Sequence, residues 1–307
     1  MSHACTKSLS GTDRARVVVR FMKMPGFEGL MRWLPRGVSG TSLALVVAAS
    51  VGAQVTPFAE RAFNEQVLRP SGQPVIPLYE GYYPNPDGTY QICFGYFNLN
   101  TEENVDIPLG PDNMIEPAEF DGIQPTHFDP VPAANYRRRF CIFTVNVPAD
   151  FGDCEIVWTL NTNDEAISTP GKVLQSYVLD ELVADGRGVV APVLKFEVDG
   201  PEFTGRSGFT GKALTVAVGD PLPLSVWIQH PADRSWVAWT LHQGSGRVDF
   251  DESEIWVAKA DGVARTTARF GEPGEYLIRV QAIDSPTASF EFHCCWTNGY
   301  IPVVVVR

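Results

Sequence analysis

From residue 76 onward the chain repeats one pattern: a short run of alternating apolar and polar residues, then a turn rich in glycine, proline or aspartate. "IPLYEGYY" at 76–83 and "YQICFGYFN" at 90–98 flank "PNPDGT". That Pro-Asp-Gly turn suits a tight reversal, so the two runs form a hairpin. Runs this short cannot present the apolar stripe of a helix, whereas period-two alternation gives a strand one buried face. "VDIPL" is a further short strand, and "RFCIFTVNVP" and "CEIVWTLN" read as a second hairpin across "ADFGD". Residues 171–188 read as a last strand or short helix plus linker. Further on come "ALTVAVGD", "PLPLSVWIQH", "SWVAWTLHQGSG", "VARTTARF", "EPGEYLIRVQAID" and "YIPVVVVR". The predicted class is all-β: two tandem β-sandwich domains, residues 75–185 and 189–307. "LDELVADGRGVVAP" changes from acidic and apolar to small and Gly-rich, which places the boundary between residues 180 and 192.

What precedes the sandwiches reads as an export signal. Residues 1–36 carry seven Lys or Arg against Asp13 and Glu28, and an apolar core at 43–51 ends in Val51-Gly52-Ala53. A basic segment, a short apolar core and small residues at the cleavage site make a secretory signal peptide, here residues 1–53. Met31, or Met24, is an alternative start that leaves a complete signal. The apolar run is short for a membrane span, and an uncleaved anchor is the alternative. Residues 54–74 form a polar leader. The whole chain has a formal charge of −12; losing those seven basic and two acidic residues leaves −17. An acidic chain without a basic, aromatic-studded stripe excludes nucleic acid as a partner. The expected location is secreted or periplasmic, with membrane contact only through an uncleaved signal.

The order F-x-E-P-G-E-Y-L-I-R-V-x-A-x-D, beginning at Phe270, resembles the penultimate strand of bacterial immunoglobulin-like and PKD-type domains. The resemblance covers about the last 110 residues. It implies that Tyr276 pins the preceding corner through its hydroxyl and that Trp239 fills the core of the third strand. Gly274 is expected to supply the turn conformation. The inter-sheet disulfide usual in that class is not evident, since "LPLSVWIQH" holds no cysteine. The first sandwich shares only the strand pattern, with Trp158 as its core candidate.

In an exported chain cysteines tend to form disulfides. Past residue 53 lie Cys93, Cys141, Cys154, Cys294 and Cys295, an odd number that leaves one thiol free or paired between chains. If "ADFGD" is a hairpin turn, Cys154 faces the end of the preceding strand, roughly 20 Å from Cys141. Cys93 with Cys141 is then the preferred bridge, because the second and fifth strands of such sandwiches are neighbours, and Cys93 with Cys154 is the alternative. Cys294 and Cys295 point to opposite faces if they lie on a strand. They form an adjacent-cysteine disulfide, remain thiols or bridge the domains. A metal there, with His293, is the weakest reading.

No metal-binding histidine pair, nucleophile elbow, P-loop or dinucleotide fingerprint is present. Asp249, Asp251, Glu252 and Glu254 in "DFDESE" are weak Ca²⁺ candidates, and no other cofactor is expected. The connection 110–138 is long for a sandwich and offers Asp112, Asn113, Asp121, Gln124 and His127 as loop candidates. The main expectation is an exported, non-enzymatic module for binding, adhesion or envelope assembly, with a protein or glycan partner. The alternative is a secreted hydrolase, if Asp112, Glu116, Asp121 and Asp129 converge in a cleft.

Overall fold

The structure is a computed structural model and describes residues 69–130, 138–179, 190–283 and 295–307. The signal, most of the leader, the linker at 180–189, His293 and Cys294 lie outside the described residues. Among the described residues no helix is long and apolar enough to cross a membrane.

The first half contains β1 (Val75–Pro84), β2 (Tyr90–Asn98), β3 (Val105–Asp106), β4 (Asn113–Glu116), β5 (His127–Phe128), β6 (Arg138–Val147), β7 (Ile156–Thr162) and β8 (Glu165–Gly171). One sheet runs β1-β2-β6 and another β4-β7-β8, while β3 and β5 pair as a small ribbon. Ile92, Phe94, Phe143 and Val145 of the first sheet share a core with Ile115, Ile156, Trp158 and Leu160 of the second. Trp158 is fully buried, its ring edge-on to Phe143 at 5.0 Å, so alternation located this core correctly.

Three local readings are corrected. β6 and β7 are not a hairpin: β6 pairs with β2, and β7 with β4 and β8. "ADFGD" therefore crosses between sheets, and the placement of Cys154 opposite Val147 falls with it. The long connection is not all loop, since β4 supplies a sheet strand and β5 half of the ribbon. β8, paired with β7, is a strand that the alternation does not predict. It follows Asn163 and Asp164, at φ 55° and 63°, and two consecutive left-handed residues suit a two-residue hairpin turn.

The second half contains β9 (Val193–Lys195), β10 (Phe209–Thr210), β11 (Leu214–Ala217), β12 (Leu222–Gln229), β13 (Arg234–Gln243), β14 (Val248–Phe250), β15 (Glu254–Ala258), β16 (Val263–Phe270), β17 (Gly274–Ile283) and β18 (Trp296–Val306). A four-stranded sheet runs β14-β16-β12-β9. A six-stranded sheet runs β10-β18-β17-β13-β15, with β11 parallel to β18. Leu224, Val226, Ala264 and Phe270 from one sheet meet Trp239, Ile278, Val280 and Val303 from the other. Four strands of A, B, E and D type facing a C, F and G sheet make an immunoglobulin-like sandwich. The acidic segment departs from a plain connection, because it contributes β14 to one sheet and β15 to the other.

The corner at Tyr276 is formed: its hydroxyl donates to the Glu272 carbonyl at 2.9 Å and its ring packs on Phe270. Gly274 does not supply the turn, since it is already in β17 and is not among the left-handed glycines. The glycine that the corner needs is Gly244, at φ 130°, where an added Cβ would stand 2.5 Å from the Tyr276 ring.

The outward face of the six-stranded sheet is not left to water. Ile283 and Trp296 on that face join Tyr83, Cys93, Cys141 and Leu179 from the first half in a third buried cluster, with Phe140 and Trp236 at its margin. Cys93 and Cys141 are joined by a disulfide with Cα atoms 5.1 Å apart. It links β2 to its sheet neighbour β6, so it is a brace within one sheet that faces this seam. Cys154 and Cys295 are also disulfide-bonded, and among the described residues no cysteine is free.

Candidate functional site: a cleft along the seam

The seam is held by the long connection. Thr126 donates its backbone N–H to the His242 carbonyl at 2.9 Å, and its hydroxyl accepts from Gly244 N at 2.9 Å. Gln243 Nε2 donates to the Gly122 and Gln124 carbonyls, at 2.9 and 2.8 Å. His242 Nε2 lies 2.9 Å from the Ile123 carbonyl. At the other end Arg206 lies over the Tyr83 ring at 3.8 Å and donates to Gln91 at 3.0 Å.

The loop candidates build this connection. Asn113 is a buried hub: its Nδ2 donates to the Ile107 and Pro125 carbonyls at 2.9 and 2.8 Å, and its Oδ1 accepts from Trp158 Nε1 at 3.1 Å. Asp121 accepts from Ile115 N at 2.8 Å and from Gln124 at 2.6 Å. Asp112 accepts from Asn161 at 2.8 Å. His127 sits between two carboxylates, with Nδ1 2.6 Å from Asp106 and Nε2 3.2 Å from Asp129. Asp112, Glu116 and Asp121 do not join Asp129 on a common cleft wall. In the acidic segment Asp249 pairs with Arg247 and Asp251 with Arg269, each at 2.6 Å. The backbone N–H of Glu252 donates to Thr266, and Glu254 begins β15. Among the described residues no three His, Cys, Asp or Glu gather as a metal site.

Above the seam lies a cleft of about 1040 Å³. The first half lines it with Tyr96, His127, Asp129, Arg139 and Phe140, and the second with Trp236, Trp239, Arg279, Gln281 and Trp296. Glu102, Asp249 and Glu254 stand on its walls. Arg279 is the unusual group. It is only 6% exposed, Nε donates to Asn298 at 3.1 Å, and Nη2 has no hydrogen-bond partner. Burial and the charge of Arg139 push its pKa down, although Tyr300 and Tyr96 oppose this. Sequence reading missed it. Its alternation in "EYLIRVQAID" marks it as outward and polar, and nothing local says that the outward face is covered.

The two seam histidines are driven in opposite directions. Burial pushes His127 down, but hydrogen bonds to Asp106 and Asp129 and their charges outweigh it and raise its pKa to about 9. Burial, aided by the charge of Arg279, lowers His242 to about 4 against the pull of the Ile123 carbonyl. Each pKa unit corresponds to about 1.4 kcal/mol. Protonated His127 favours the folded state, so its contribution is whole below pH 6.5 and disappears as pH rises through about 9. Neutral His242 favours the folded state, so its contribution is whole above pH 6.5 and disappears as pH falls towards about 4. Urea midpoints across this range should therefore peak near pH 6.5. His127→Gln should flatten the alkaline limb and His242→Gln the acid limb, each limb being worth up to about 3 kcal/mol. Limbs that survive both substitutions would show that other groups set the profile.

No family model and no curated protein matches the chain. Among solved structures, the D0-D1 domain of intimin is similar at 11% identity over 76% of this chain and 98% of that one, TM-score 0.24. Adhesin InvE of Yersinia pseudotuberculosis is similar at 11% identity over 75% of this chain and 58% of that one, TM-score 0.23. WR4, a Caenorhabditis elegans MSP family member, is similar at 10% identity over 31% of this chain and 92% of that one, TM-score 0.25. Scores this low say nothing of function, and the fold assignment rests on the strand order and the tyrosine corner.

Proposed function

We propose that the chain is an exported, non-enzymatic binding module that takes its ligand in the seam cleft. The observation that carries this reading is the cleft itself: about 1040 Å³, built from both halves and lined by aromatic rings beside charged groups. Binding sites combine apolar walls with a few placed polar groups in this way. Export is supported by the basic segment, apolar core and small residues at 51–53, and by the cysteines held in disulfides.

A hydrolase would need a carboxyl group free to give and take a proton beside a second carboxylate. Asp112 and Asp121 accept structural hydrogen bonds instead. For Asp129, burial works to raise the pKa, but His127 and the charge of Arg139 outweigh it and hold the group below its ordinary range. That is the wrong direction for a general acid.

The test has two parts. The N-terminus of protein recovered outside the cytoplasm should lie within a few residues of Gln54. The same protein should retain ligands from peptide and glycan panels, lose them on Trp236→Ala, and release no hydrolysis product. An intact chain confined to the cytoplasm, or turnover of a panel member, would overturn the reading.

A further inference from the structure

We infer that the cleft receives a carboxylate group, carried on an apolar body, at a receptor formed by Arg279 and Arg139; this rests on the cleft being the binding site.

Arg279 is on β17 and Arg139 on β6, so the two guanidiniums come from opposite sides of the seam. A buried guanidinium is costly unless an anion and further hydrogen bonds satisfy it. Arg279 has neutral hydrogen-bond partners, the Asn298 amide and the Tyr300 side chain, leaves Nη2 without a partner, and has no carboxylate within 4.0 Å among the described residues. Arg139 adds a second positive charge from the other side of the cleft and is a third exposed. Its counter-ion, Asp129, reaches it only at 3.9 Å through Oδ2, while Oδ1 is held by His127. The mutual repulsion of the two cations is relieved by an anion between them. A planar carboxylate matches guanidinium donors in pairs.

The surroundings narrow the ligand further. Glu102, Asp129, Asp249 and Glu254 stand on the same walls and disfavour a dianion such as phosphate. Trp236, Phe140 and Trp296 offer rings to an apolar body beside the carboxylate. The C-terminal residue of a peptide has this chemistry.

The experiment uses the purified chain with its disulfides intact. Calorimetric titration would compare N-acetylphenylalanine, its uncharged amide, glucuronate and inorganic phosphate. The acid should bind at least tenfold more tightly than the amide, glucuronate and phosphate. Arg279→Gln should reduce the acid to the level of the amide, and Arg139→Gln should weaken it in part. Arg279→Gln should also melt no lower than the parent without ligand, because a buried charge without a counter-ion has been removed. Equal binding of acid and amide, or an Arg279→Gln chain that binds the acid unchanged, overturns the carboxylate receptor. Preference for glucuronate or phosphate overturns the apolar body. A cleft ligand lost on Trp236→Ala but indifferent to Arg279→Gln sinks this inference alone. Absence of any ligand sensitive to Trp236→Ala sinks the binding module beneath it.

Discussion

Replacing Trp239 with alanine should lower stability by about 3–5 kcal/mol, the range for emptying a large core volume. Trp239 is fully buried on β13 opposite Val280 of β17, among Ile278, Val303 and Phe270. Tyr276→Phe keeps the ring and loses only the bond to the Glu272 carbonyl, so it should cost about 1 kcal/mol. Urea unfolding midpoints of the two variants give the ordering. A Trp239→Ala chain as stable as its parent, yet unable to bind a partner, would make this side chain a recognition residue, and the inside of the sandwich would be misassigned.

Replacing Cys93 and Cys141 together with alanine should cost about 4 kcal/mol. The bridged residues are 48 positions apart, and closing a loop of that length removes about this much chain entropy from the unfolded state. The loss should reach the seam as well, because both cysteines are fully buried beside Trp296 and Ile283. Cys141 lies in the left-handed region at φ 44°, where β6 bulges opposite Gly95 of β2. An added Cβ on Gly95 would stand 2.3 Å from the Arg139 carbonyl, so the bulge is already tightly constrained on its partner strand. Comparing urea midpoints of parent and double variant checks the figure. A loss below about 1 kcal/mol would mean that the bulge and the seam contacts hold β6 without the covalent link.

Much of the fold is legible because alternation reports which face is buried. Tyr276, Ile278, Val280 and Ala282 are read correctly from "EYLIRVQAI", and Trp158 and Trp239 from the runs around them. Alternation does not report which strand a segment pairs with. That is why the pattern predicts β6 and β7 as a hairpin although they belong to different sheets. It also misses strands with little apolar content, such as β8, whose side chains are largely exposed. The turn before β8, Asn163-Asp164, carried the better signal through its tolerance of left-handed backbone. The candidate site was legible only in fragments. Gln124 and His127 were singled out for chemistry, and each is occupied in holding the connection together. Arg279 and Arg139 stand 140 positions apart, and their meaning arises only where one half covers the outer face of the other.

The parallel pairing of β11 with β18 bears on how the chain answers a mechanical load. Four consecutive pairs, Leu214 with Val303 through Ala217 with Val306, run in the same direction beside the last residues of the chain. Tension applied between the start of β11 and the end of β18 pulls these strands lengthwise past each other. Their ladder bonds then bear the load together in shear, whereas an antiparallel hairpin pulled at its open end unzips one rung at a time. Forced unfolding is governed by the unfolding barrier and not by equilibrium stability. A four-residue edge strand can therefore set how long the domain endures under tension.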